Sequence, residues 1–175
     1  MKNKWTVKVF FLTFILAIIF SLIANLLGNL NNIILSICII SIIIIGIIFD
    51  IIGTASLSCD TKVLHSKASQ KLNGAKEAIR LAKNASSVSS FCNDVVGDVC
   101  GIVSGSLVTI LVVNIVTSNN ISIWNILLSS ILSAFTVGGK ALGKNIGVKK
   151  ANDIIHSVGK ILSLFKRKER KKREK

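Results

Sequence analysis

Four long apolar runs separated by polar segments form the dominant pattern of this chain. They cover residues 10–27, 33–49, 95–116 and 121–137. A helix rises 1.5 Å per residue, so each run is long enough to cross a bilayer core of about 30 Å. The pattern predicts an all-α, polytopic membrane bundle of about four transmembrane helices.

The first run raises the question of a signal peptide, because Lys2, Lys4 and Lys8 precede it. A cleavage site of small residues is not evident near Ala24, and a second apolar run follows at once. An uncleaved first helix is therefore expected, and residues 1–32 form an N-terminal helix and turn.

Two further segments have the periodicity of amphipathic helices. In residues 62–85, apolar side chains recur every three or four positions while Lys and Arg lie off that stripe. Residues 151–165 repeat the pattern, and a basic tail follows at 166–175. Both are expected to be cytoplasmic helices beside a transmembrane domain of residues 33–150.

Charge distribution predicts the orientation of these helices. The chain has 22 Lys and Arg against 8 Asp and Glu, with a mean hydropathy of +0.67. The turns at 28–32 and 117–120 contain no Lys or Arg, whereas the two termini and the middle segment are rich in them. The positive-inside rule then places both termini in the cytoplasm of a multi-pass cell-membrane protein.

The basic segments favour anionic lipid over nucleic acid as a partner. Lysines near a membrane surface attract anionic head groups, with about 1 kcal/mol per cation. Aromatic residues do not interleave with the tail at 166–175, so bases would have no stacking platform. A soluble enzyme is excluded by composition, and no catalytic constellation or organic cofactor site is expected.

Acidic residues at the ends of the apolar runs are candidate cation ligands. Asp50 ends the second run, and Asp94 and Asp98 open the third beside Asn93. No Lys or Arg lies inside the runs to neutralise them, and Mg²⁺ prefers oxygen ligands. The alternative is that Asp94 and Asp98 are stabilised by a helix N-terminus after the serines at 86–90.

The positions of the glycine, cysteine and histidine residues indicate roles in packing. Gly97, Gly101 and Gly105 form two G-x-x-x-G steps, which permit a tight helix crossing in a membrane. The four cysteines lack metal-site spacing and are interpreted as small membrane residues. His65 and His156 are expected at surfaces or interfaces of separate cytoplasmic helices.

Residues 49–150 resemble the transmembrane domain of the CNNM/CorB/CorC family, which is linked to Mg²⁺ and Co²⁺ transport. The stretch FDIIGTASLS at 49–58 is similar to the family pattern F-S-x-x-E-T-A-L-x-S, and LNGAKEAIRL at 72–81 is similar to G-x-x-x-A-x-x-A-L-x-L. FCNDVV at 91–96 resembles the G-N-N-x-x-N segment, and 135–142 resembles F-G-E-x-x-P-K-x-L with Lys140 at the lysine.

This resemblance implies a Mg²⁺ site near the middle of the membrane. Asp50 stands at the Ser of F-S, Ser58 at the closing Ser, and Asn93 and Asp94 at the two Asn positions. Departures are Gly53 in place of the family's Glu, the lack of any Pro, an extra first helix, and the lack of a nucleotide-binding CBS pair.

The leading hypothesis is a divalent-cation transporter module, with Mg²⁺ bound or transported and Asp50, Ser58, Asn93, Asp94 and Asp98 as candidate metal-binding residues. A homodimer is expected, because 175 residues leave little room for a complete pathway. One alternative is a non-transporting scaffold or regulator that docks partners through its basic cytoplasmic surfaces. A second alternative is a holin-like pore former, suggested by the small size and basic tail.

Overall fold

The regular structure of the chain is entirely helical within the described residues, which are 2–28, 31–115 and 121–173 of a computed structural model. The elements are α1 (Lys2–Leu27), α2 (Asn32–Ser58), α3 (Thr61–Ser69), α4 (Ala75–Lys83), α5 (Ala85–Ser89), a π-helical segment (Ser90–Gly97), α6 (Asp98–Ile115), α7 (Ile121–Lys149) and α8 (Ala151–Arg173). The all-α fold class is confirmed. The predicted turn at 117–120, residues 29 and 30 of the first turn, and the side chains of the tail at 166–175 lie outside the described part.

Four helical stretches in the described ranges are long and apolar enough to cross a membrane. They are Val9–Leu27, Asn32–Ser58, Ala85–Ile115 and Ser122–Lys149. Three of them extend well beyond the apolar runs that predicted them, because the chain has no proline to end a helix where hydropathy falls. Trp124, near the start of α7, is half exposed. The structure is that expected of a multi-pass membrane protein.

The predicted single helix at 62–85 is wrong. The structure has two helices, α3 and α4, separated by a turn in which Lys71 has φ 55° and Gly74 has φ 83°. Left-handed backbone conformations interrupt a right-handed helix, and Asn-Gly pairs such as Asn73–Gly74 favour turns. The break lets α3 and α4 fold against each other and against α8.

The chain divides into two compact units. The first, here called the apolar unit, comprises Met1–Phe49 and Asn93–Ala141; the second, the basic unit, comprises Asp50–Cys92 and Leu142–Lys175. Only Lys2, Lys4, Lys8 and Lys140 among the 22 basic residues belong to the apolar unit, so the basic unit carries the remaining 18. Hydropathy and charge are thus segregated by unit.

The apolar unit has its core between α1, α2 and α6. Its buried residues are Ala24, Leu35, Ile39, Val99, Val103, Leu107, Val108 and Val112. Helix α2 approaches α6 closely at Gly46, where an added Cβ would lie 3.0 Å from the Cβ of Cys100 and 3.7 Å from the carbonyl oxygen of Gly97. The close packing predicted for Gly97, Gly101 and Gly105 is thus observed at Gly97 but not at Gly101 or Gly105, since a Cβ on either of these two would meet nothing within 4 Å among the described residues.

The basic unit has a separate core built from the end of α2 together with α3, α4 and α8. Its buried residues are Ala55, Leu64, Ala78, Ala151 and Ile155. Helices α4 and α8 cross at Gly74 and Gly159, where a Cβ on Gly74 would overlap the backbone of Lys160. Only glycines permit this approach, and it fixes the two helices against each other.

Polar contacts stabilise the same unit at its surface. Asp60 caps α3 by accepting a hydrogen bond from the Lys62 amide at 2.8 Å, and its own amide donates to the Asn152 side chain at 2.8 Å. Lys67 of α3 forms an ion pair of 2.8 Å with Asp153 of α8. The Asp153 pKa lies below its usual value because Lys67 donates a hydrogen bond to it.

Candidate functional site

Asp50 is a buried carboxylate in α2, directly after the most hydrophobic run of the chain. Its residue exposure is 3%, and the span that contains it has a mean hydropathy of 3.0. Placing a charge within a membrane span costs about 2.5–3.5 kcal/mol on insertion scales, so such residues are usually functional. Asp50 is therefore the strongest of the sequence-predicted ligands.

Ser58 does not share a site with Asp50. It is the last residue of α2, and its side chain is exposed. Eight residues of helix separate the two, which corresponds to about 12 Å along the axis. Ligands of one Mg²⁺ each lie about 2.1 Å from the ion. Asp50 and Ser58 are therefore too far apart to be ligands of one ion.

Asn93, Asp94 and Asp98 lie inside a long helix and not at its start. The helical stretch that contains them begins at Ala85 and continues to Ile115, with the π-helical segment Ser90–Gly97 in between. Asn93 is half-buried, whereas Asp94 and Asp98 are exposed. The interpretation that a helix N-terminus stabilises these acids loses its basis, because the N-terminus lies nine residues before Asp94.

Asp98 has a basic partner, contrary to the expectation that the spans hold none. Helix α7 continues past the predicted run and carries Lys140, whose Nζ lies 3.5 Å from the Asp98 carboxylate. The same Nζ donates to the Gly97 carbonyl oxygen at 3.2 Å. The ammonium group lies within ion-pair distance of Asp98, and a cation so close makes Asp98 a poorer ligand for a metal ion. A separation of 42 residues hid the pair from sequence analysis.

The described part of the chain holds no group of three or more His, Cys, Asp or Glu residues that could bind a metal ion. A cation site in these ranges would then combine at most two such side chains with amide, hydroxyl, backbone or water oxygens. Mg²⁺ accepts such a ligand set, since it keeps several waters and binds through one or two carboxylates.

His156 is buried in the basic unit, although the sequence predicted a surface or interfacial position. It is 8% exposed, and its Nε2 has no hydrogen-bond partner among the residues that the structure describes. Burial lowers the His156 pKa below its ordinary value, and the cations of Lys67 and Lys160 lower it further. A hydrogen bond with the Asn73 backbone and attraction to Asp153 act in the opposite direction.

The four cysteines are free thiols. Cys92 and Cys100 are buried, and Cys38 and Cys59 are half-buried. Burial raises the pKa of Cys59, which lies between α2 and α3, so this thiol stays protonated at neutral pH.

Comparisons of the chain with protein-family models, curated proteins and solved structures give no match.

Proposed function

We propose that this chain is a membrane module that binds and moves a divalent cation, Mg²⁺ or Co²⁺, and that binding depends on Asp50. The observation that supports this most is the buried carboxylate within an otherwise uncharged helix. Mg²⁺ takes oxygen ligands, and the Asp50 carboxylate supplies one inside the span. The resemblance of residues 49–58 to the CNNM/CorB/CorC pattern leads to the same ion.

Asn93 and Asp94 are the next residues that this function would use. They lie on the π-helical segment, and π-helical turns inside α-helices are often found at functional sites. The proposed site does not include Asp98, because Lys140 lies beside its carboxylate. It does not include Ser58 either, because Ser58 is too far from Asp50.

The proposed setting is the cell membrane, with both termini and helices α3, α4 and α8 of the basic unit in the cytoplasm. The supporting observation is that the basic unit holds 18 of the 22 Lys and Arg, which the positive-inside rule assigns to the cytoplasmic side. A homodimer is also proposed, because Gly101 and Gly105 leave open space on α6 for a second copy.

The test is divalent-cation binding by the purified full-length protein, measured by isothermal titration with Mg²⁺ and Co²⁺. Asp50→Asn keeps the side-chain shape and removes the charge, so affinity should fall by at least about tenfold. Asp98→Asn is the matched control and should retain the affinity of the unsubstituted protein. Asn93→Ala and Asp94→Asn are measured separately.

Transport is tested with the same variants in reconstituted vesicles that contain a Mg²⁺-sensitive dye. Flux should depend on Asp50 and not on Asp98. Equal binding and flux by Asp50→Asn and the unsubstituted protein, with both folded, would refute the proposal.

A second candidate function is a membrane-anchored scaffold that docks acidic partners on the basic unit. The supporting observation is that this unit has its own buried core and most of the basic residues. Partner capture that is lost on removing residues 166–175, without any cation binding, would favour it. A holin-like pore former has less support, because a lesion does not need a separately folded basic unit; dye leakage on expression would favour it.

A further inference from the structure

A cavity of about 950 Å³ lies in the basic unit between the α3–α4 turn and α8. Lys71, Lys76 and Lys160 line it, together with one carboxylate, that of Glu77. Leu164 forms part of its apolar wall. The sequence predicted anionic lipid as a partner of the basic segments in general but indicated no cavity in them, and none of these residues belongs to the proposed cation site.

The helix crossing at Gly74 and Gly159 brings the three lysines together. Lys160 follows Gly159 directly, and its backbone occupies the space that a side chain on Gly74 would need. Lys71 lies on the other side of the turn and is the one non-glycine residue with positive φ in the described ranges. Left-handed backbone costs about 1–2 kcal/mol for an L-residue, so the fold holds Lys71 there at the expense of stability.

The cavity is positively charged. In the described part of the chain no ion pair involves Lys71, Lys76 or Lys160; the pairs there are those of Lys67 and Lys140. Three ammonium groups against one carboxylate leave a net charge that attracts an anion. Ammonium groups are point charges that suit phosphate oxygens.

Beside the cavity, α8 exposes a run of large apolar side chains. Ile161 is 55% exposed, Leu164 66% and Phe165 68%. Exposed apolar groups of this size next to basic residues are typical of helices that lie at a membrane interface. The ligand therefore needs both an anionic group and an apolar part.

We infer that this cavity binds the phosphate headgroup of an anionic phospholipid, with Lys71, Lys76 and Lys160 around the phosphate and the apolar side chains of α8 against the acyl chains. A lipid is favoured over free phosphate because the exposed residues at 161–165 would otherwise face water. This inference does not depend on cation transport.

The test is a titration of the detergent-purified full chain with water-soluble dioctanoyl phosphatidylglycerol, followed by native mass spectrometry. Dioctanoyl phosphatidylcholine and inorganic phosphate are titrated in parallel. The double variant Lys71→Gln/Lys160→Gln should weaken phosphatidylglycerol binding by about fivefold per lysine. Glu77→Gln should strengthen it, because the opposing charge is removed.

The matched control is Lys62→Gln/Lys83→Gln, which removes the same charge from exposed positions of α3 and α4 outside the cavity. It should change the affinity by less than about twofold. Equal weakening by the two double variants would overturn the inference, since binding would then depend on net charge alone. Equal affinity for phosphatidylcholine, or for inorganic phosphate without a lipid preference, would overturn it as well.

Discussion

The close crossing of α4 and α8 predicts that Gly159→Ala destabilises the basic unit, whereas helix propensity alone would predict the opposite. Gly159 lies within α8, where its helical backbone accepts any residue except proline. In Gly159→Ala, the new Cβ would lie 2.8 Å from the Ala78 amide nitrogen and 3.0 Å from the Ala78 Cβ, and would overlap the Gly74 carbonyl oxygen. Two of these three atoms are backbone, so they move only if α4 moves.

Two opposing effects set the magnitude. Helix propensity alone would make Gly159→Ala stabilising by about 1 kcal/mol. Overpacking costs about 1–3 kcal/mol, and contact with backbone atoms puts this case at the upper end. The net expectation is a loss of about 1–2 kcal/mol, which corresponds to a roughly 5- to 30-fold rise in local opening.

Hydrogen–deuterium exchange of the purified protein measures that opening directly. Amides of α4 and α8 should exchange faster in Gly159→Ala, whereas those of α1 and α6 should be unchanged. Gly138→Ala in α7 is the control, because a Cβ on Gly138 would meet nothing within 4 Å in the described structure. Slower exchange in Gly159→Ala would refute the close approach, since helix propensity would then be the only effect that remains.

Two further predictions concern charged groups. Because burial and neighbouring lysines depress the His156 pKa below 6.5, the unfolded chain binds the proton more readily, and the basic unit should lose stability as the pH falls below 6.5. Thermal unfolding between pH 7.5 and 5 should show this loss, and His156→Asn should reduce it; an unchanged pH profile would count against the assignment. For the apolar unit, a double-mutant cycle of Lys140→Gln and Asp98→Asn should give a coupling energy below about 1 kcal/mol, because Asp98 is 66% exposed. A coupling near zero would mean that the contact adds nothing to stability.

The membrane helices could be predicted from the sequence, but their ends could not. Hydropathy reports where lipid is a suitable solvent, whereas a helix continues for as long as its backbone is not interrupted. Helix α7 therefore runs twelve residues past Val137, and α2 runs nine past Phe49. The same extension carries Lys140 to Asp98, a contact that hydropathy has no means of detecting.

The error at residues 62–85 has a different origin. Apolar side chains keep helical spacing across the whole segment, but the Asn73–Gly74 pair favours a turn and ends the helix there. The spacing of apolar residues alone does not detect such a turn. The candidate ligands also differ in how far the sequence alone could predict their surroundings. The position of Asp50 after an apolar run was sufficient to select it as a candidate ligand, whereas the exposure of Ser58 and the pairing of Asp98 depend on the folded chain.

The distribution of aromatic residues gives the protein a useful optical property. Trp5 and Trp124 both belong to the apolar unit, and the chain has no tyrosine. The intrinsic tryptophan fluorescence of the natural protein thus arises from the apolar unit alone, and the basic unit contributes none. An indole introduced by Phe165→Trp would add a signal beside the lysine-lined cavity, and its quenching by brominated acyl chains would show how deeply α8 enters the bilayer.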